Sequence, residues 1–97
     1  MISILIITED IERWAQDIDR CVNGGRWTRL GHQMEYCNDM FRIRIAKECN
    51  RSFRGMWFTT CVLDKPMHNE EEAYLRAVLH GNIVHTAQCY RAPRNRG

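Results

Sequence analysis

The chain has 97 residues and a mass of 11.5 kDa, enough for one compact core. Its 44% hydrophobic and 27% charged residues and net charge of +2 exclude a multidomain enzyme, a coiled coil and a membrane-spanning protein. Near-neutrality also argues against a strongly basic nucleic-acid binder, although twelve of the fourteen basic residues are arginine and only Lys47 and Lys65 are lysine. That bias favours planar, bidentate contacts to carboxylates and phosphates.

Residues Ile2 to Thr8 form a nearly unbroken β-branched run, which predicts a strand buried on both faces. Thr8 is placed to cap the next helix, with Glu9, Asp10 and Glu12 complementing its dipole. Ile11, Trp14, Ala15, Ile18, Cys21 and Val22 recur at helical spacing, and Asn23, Gly24 and Gly25 stop the helix. Trp27–Leu30 and Gln33–Cys37 read as short strands broken by Gly31. Asn38 and Asp39 then turn the chain into Met40–Ala46. There Phe41, Ile43 and Ile45 alternate with Arg42 and Arg44, which predicts a half-exposed strand with a basic outer face. A polar stretch, Glu48 to Gly55, precedes a second buried strand over Met56–Leu63. Asn69 and Glu72 fit a capping box. Ala73, Tyr74, Ala77 and Val78 supply the apolar stripe of a second helix, with Leu75 and Leu79 beside it, and Gly81 ends the helix. Ile83–Tyr90 reads as a last strand, and residues 91–97, with Arg91, Arg94, Arg96 and Pro93, as a basic tail.

The fold class expected is α/β or α+β in one domain over residues 1–90. It is a small mixed sheet of four to five strands with two amphipathic helices, in the order strand, helix, hairpin, strand, helix, strand.

The five cysteines (Cys21, Cys37, Cys49, Cys61 and Cys89) are odd in number and form no C-x-x-C pair. The apolar start lacks a basic leader and runs straight into acids, so it reads as a strand rather than a signal peptide. The expectation is a cytoplasmic protein with reduced, mostly structural thiols. Cys37, Cys49, His68 and His85 are too scattered to predict a metal site, and Cys61 with His85 is a weak nucleophilic pair. No cofactor, metal ligand set or catalytic residue is assigned.

The stretch Arg54-Gly55 through Asp64, preceded by the alternating FRIRI of residues 41–45, resembles one region of viral packaging ATPases (large terminases) and related helicase-type ATPases. That region surrounds their second nucleotide-binding strand, and the likeness covers residues 41–80. It implies that Asp64 stands where the family places its magnesium-handling acid, while Lys65 replaces the catalytic glutamate. The G-x-x-x-x-G-K-[ST] phosphate loop is absent from the sequence. The resemblance therefore implies a degenerate sheet of that ancestry, without ATPase activity. It also implies a phage or mobile-element source and, for such a protein, the host cytoplasm.

Charge is partitioned along the chain. Residues 1–22 carry −3, residues 26–54 carry +4, residues 55–90 carry −2 and residues 91–97 carry +3. In the basic middle, Arg26, Arg29, Arg42, Arg44, Lys47, Arg51 and Arg54 interleave with Trp27, Tyr36, Phe53 and Trp57. The bland reading is a solvated face whose arginines pair with acids of residues 9–19 and 70–72. The first functional reading is a non-catalytic interaction protein, such as a phage accessory protein that inhibits a host or defence-system protein. Its anchors are Arg26, Trp27, Arg29, Arg42, Arg44, Arg51, Arg54 and Trp57. The alternative is nucleic-acid binding by the same arginines and the tail. A third is a metal-dependent phosphoryl-transfer or nuclease domain, in which Asp10 and Asp64 would share one sheet edge if their strands are parallel neighbours, with Glu9 and Glu70 as further candidate acids. An exposed sheet edge also predicts a homodimer.

Overall fold

The computed structural model describes residues 1–90; the expected tail, residues 91–97, lies outside the described residues. The chain builds one six-stranded mixed sheet and two helices. The strands are β1 (Ile2–Ile7), β2 (Arg26–Leu30), β3 (Gln33–Cys37), β4 (Phe41–Ala46), β5 (Phe58–Leu63) and β6 (Leu79–His85), in the spatial order β2-β3-β4-β1-β5-β6. The count reaches six because both segments flanking Gly31 form strands. Helix α1 (Ile11–Cys21) follows β1, and α2 (Asn69–Val78) joins β5 to β6. A single 3-10 turn, Arg51–Phe53, lies between β4 and β5.

The β-branched run of β1 occupies the centre, parallel to both β4 and β5. β2, β3 and β4 form an antiparallel meander, whose second turn is made by Asn38 and Asp39 as the sequence predicts. Strand alternation sorts the side chains into two cores. Ile6, Ile43, Ile45 and Tyr36 face Ile11 and Ala15 of α1. Leu5, Ile7, Cys61, Leu63 and Phe58 face Phe53 of the 3-10 turn and Leu75 and Val78 of α2. The turn exists because Phe53 is fully buried there, with its ring edge against Phe58 at 6.0 Å. Truncating such a ring costs about 3–5 kcal/mol.

Several local expectations are corrected. Asp10, not Thr8, caps α1 by accepting from the Arg13 amide, because the Thr8 side chain is buried and engaged elsewhere. The capping box of α2 sits one residue earlier than expected, at His68 and Glu71. Glu71 is pulled inward because its carboxylate accepts from both the His68 and Cys49 amides, tying α2 to the loop after β4. That rotation buries Leu75 and Val78 and leaves Ala73, Tyr74 and Ala77 exposed. The helix ends at Val78, and Gly81 lies inside β6, which spans Leu79–His85 rather than Ile83–Tyr90. A Cβ at Gly81 would run into the Thr59 carbonyl oxygen, at the point where the β5–β6 register shifts. Residues 87–90 form a 3-10 turn instead of a strand. β5 starts at Phe58, so Met56 and Trp57 precede it.

Candidate functional site

The ends of β5 define two regions. At its C-terminal end, β1 leads to α1 on one face of the sheet and β5 leads to α2 on the other. Parallel neighbours whose connections leave on opposite faces open a crevice at their carboxyl ends, the usual ligand position in such sheets. Thr8, Glu9, Asp10, Arg13, Asp64, Pro66 and Gln88 line an open cavity of ≈ 490 Å³ there.

Asp64 is the centre of that crevice. Thr8, Asp64 and Thr86 are the residues that directly follow β1, β5 and β6. The amide of Asp64 donates to the Ile7 carbonyl and that of Thr86 to the Leu63 carbonyl, continuing the sheet by one residue. Both threonine hydroxyls then donate to Asp64, Thr8 to Oδ2 at 2.8 Å and Thr86 to Oδ1 at 2.6 Å. Trp14 of α1 donates its indole N–H to Oδ2 at 2.9 Å, and the Arg13 guanidinium lies 3.8 Å away. Burial pushes the Asp64 carboxyl up, but hydrogen bonds from Thr86, Trp14 and Thr8 and the Arg13 charge outweigh it, and the group stays below its ordinary range.

The parallel β1–β5 pairing places Asp10 and Asp64 on one edge, and Arg13 stands between them, 3.7 Å from Asp10. Glu9 pairs with Lys65 at 2.9 Å, which lowers the Glu9 carboxyl from its usual value. Lys65 also donates to the Lys47 carbonyl. Glu70 sits in the first turn of α2 and does not line this crevice. Among the described residues no group of three or more His, Cys, Asp or Glu side chains is arranged to hold a metal ion.

The arginines of the basic segment separate into two classes. Arg42 donates to the Ser3 hydroxyl and to the Trp57 carbonyl and lies over the Phe58 ring at 5.2 Å. Arg44 pairs with Glu35 and donates to Gln33, with side chains only 14% and 20% exposed in the Arg44–Glu35 pair, and lies over Phe53. The outer face of β4 is therefore not a solvated basic stripe. The 3-10 turn packs on it, and both guanidiniums are spent inside the molecule. Arg29 pairs with Glu12, and Trp27 donates to Asp19 and packs against Tyr36.

Arg26, Arg51 and Arg54 differ: their side chains make no hydrogen bond or ion pair among the described residues. Arg51 opens the 3-10 turn and Arg54 caps its end, and Gly55, at φ 86°, redirects the chain into Met56 and Trp57. Trp57 is 50% exposed and stacks on His80 with ring centroids 5.3 Å apart. The segment leading into the N-terminal end of β5 thus carries Arg51, Arg54 and Trp57, with His80 of β6 stacked on the indole, whereas Arg26 lies on β2 at the far edge of the sheet.

Cys61 and His85 occupy adjacent strands but not the same register position. Burial pushes both the Cys61 and Cys49 thiols up to about 12, an inert state for nucleophilic chemistry. Sequence periodicity also missed an apolar groove of ≈ 340 Å³ lined by Ile4, Trp14, Ile18, Val22, Phe41 and Ile43. It exists because α1 packs over β3 and β4, leaving Ile2 of β1 and Val84 of β6 exposed on the same face. No family model, curated protein or solved structure matches the chain.

Proposed function

We propose that the chain is a non-catalytic recognition module that binds another protein through Arg51, Arg54 and Trp57, with His80 as the ring support. One observation carries the reading: two exposed arginines without a side-chain partner among the described residues, on a turn anchored by Phe53, lead within three residues of Arg54 into a half-exposed tryptophan. Arg and Trp are the residues that dominate binding energy at protein interfaces. A rigid base matters too, because little side-chain or loop entropy is then lost on binding. The chemistry fits a partner surface carrying carboxylates beside an apolar pocket. With the resemblance to packaging ATPases, the partner proposed is a host or defence-system protein met by a phage accessory protein.

The test is affinity purification from the native host, with the R51E/R54E double variant alongside the wild type. A stoichiometric protein recovered by the wild type and lost by the variant supports the reading. Equal recovery by both, or no stoichiometric protein, overturns it.

Nucleic-acid binding is the second reading, favoured by the same exposed indole and guanidiniums, which could stack a base and hold phosphates. It predicts a shift of single-stranded DNA or RNA at low salt, with affinity falling by a log–log slope of about 0.7 per phosphate contacted. No shift at low salt removes it. The phosphoryl-transfer reading has less support, because both Asp64 oxygens already accept hydrogen bonds and Arg13 occupies the space between Asp64 and Asp10.

A further inference from the structure

Five asparagines lie among the described residues, and one differs from the rest. Asn38 accepts from the Met40 and Phe41 amides at 2.8 and 2.7 Å and donates to the Tyr36 hydroxyl and the Asn23 carbonyl. Asn50 accepts from the Ser52 amide, and Asn82 from the Thr60 hydroxyl. Asn69 is held in the first turn of α2. Asn23 instead lies in the exposed connection between α1 and β2, and its side chain makes no hydrogen bond among the described residues. It is also the only asparagine of the sequence followed by glycine. Gly24 stands at φ 77° with open space where a Cβ would be, and its amide donates to nothing among the described residues. A free carboxamide thus precedes a free, unhindered backbone amide.

We propose that Asn23-Gly24 is a self-modification site, at which the asparagine converts to aspartate and isoaspartate without an enzyme. The Gly24 nitrogen loses its proton and attacks Asn23 Cγ. A five-membered imide closes, the bond from Cγ to the side-chain nitrogen breaks, and that nitrogen takes up a proton and leaves as ammonia. Water then opens the ring. Attack at Cγ gives aspartate, and attack at the main-chain carbonyl gives isoaspartate. Asn38 favours the first step, because its Nδ2 donates at 3.3 Å to the carbonyl of the same peptide unit and steadies the charge of the deprotonated amide. The product lowers the net charge of +2 by one. Its carboxylate arises next to Val22, the C-cap of α1, where the helix dipole is negative. It also stands three residues before Arg26, whose guanidinium has no partner among the described residues. Isoaspartate adds a methylene to the backbone just ahead of Gly25, which lies against the Tyr36 ring with no room for a side chain.

The experiment incubates the folded wild-type chain, and the same chain in urea, at mildly alkaline pH. Both are followed by peptide-mapping mass spectrometry and by methyl transfer from an isoaspartate-specific methyltransferase. Cleavage after arginine isolates Asn23 in residues 21–26. In the folded chain this peptide should become one mass unit heavier and accept methyl groups, at no less than about one-tenth of the unfolded rate. The peptides holding Asn38 and Asn50 should stay unchanged until the chain unfolds. N23Q leaves both glycines in place and should abolish the methyl acceptance of the folded chain, since the longer side chain would have to close a six-membered ring. A folded wild type that keeps Asn23 intact while the unfolded chain converts overturns the proposal. So does isoaspartate that forms in folded N23Q at the wild-type rate, or at Asn38 before Asn23.

Discussion

The two ends of β5 are separated by one six-residue strand, yet the segments beside them treat charge in opposite ways. At the C-terminal end, Asp64 is buried and accepts from Thr8, Trp14 and Thr86, with Arg13 nearby. Before the N-terminal end, Arg51, Arg54 and Trp57 are exposed, and neither arginine side chain has a partner among the described residues. A buried charge must be satisfied internally or it destabilises the fold. An exposed one needs no partner, and water holds it at little cost until a ligand arrives. The difference separates a charge that holds the sheet together from charges available for recognition.

The largest effect expected is at the satisfied end. D64A leaves three donors facing an apolar gap and should cost about 3 kcal/mol or more in urea unfolding. A loss under about 1 kcal/mol would show that the hydroxyls and the indole find other partners. The same residue predicts a pH signature. Its folded-state pKa lies below its unfolded value, so its stabilisation is present at neutral pH. It is lost as pH falls below about 4 and through the folded value. The stability gap between wild type and D64A should therefore narrow in acid; a constant gap down to the lowest pH that can be measured would contradict the ionised role.

Arg42 and Arg54 test the division among arginines. R42A removes donors to Ser3 and Trp57 and the contact with Phe58, and should cost about 1–2 kcal/mol by thermal or urea melting. R54A should stay within about 0.5 kcal/mol of wild type. If the two cost the same, the separation into internal and available arginines is wrong. W57A should likewise change stability little while weakening the proposed complex about tenfold or more in a titration with the purified partner. The smallest perturbation is chemical labelling at neutral pH. Exposed Cys21 and Cys37 should alkylate in the folded protein, whereas Cys49 and Cys61 should react only on unfolding, as mass spectrometry would show.

Some of this was legible in local pattern. The β-branched run, the helical spacing from Ile11 to Val22 and the Asn38–Asp39 turn each produced the element they predict. The cap and buried face of α2 were not fully legible, because Glu71 is held by the Cys49 amide 22 positions away, and Leu75 and Val78 face the core while Ala73, Tyr74 and Ala77 do not. Gly81 read as a helix stop, since a close approach to another strand leaves the same local mark as a C-cap. At the site, the sequence singled out Asp64 and the arginines. It could not see that Thr8 and Thr86 converge on the acid, or that His80 supports Trp57, because those partners lie 56, 22 and 23 positions away.

Apolar and polar periodicity along the chain is enough to specify a small mixed α/β sheet with two helices. Which charges are spent follows from packing between distant segments. Arg42, Arg44, Arg51 and Arg54 are alike in composition and near in sequence. Arg42 is held by Ser3, the Trp57 carbonyl and the Phe58 ring, and Arg44 by Glu35 and the Phe53 ring of the 3-10 turn, whereas Arg51 and Arg54 of that turn stand in solvent. Side-chain pairing depends on three-dimensional distance and burial, and neither is encoded in local spacing.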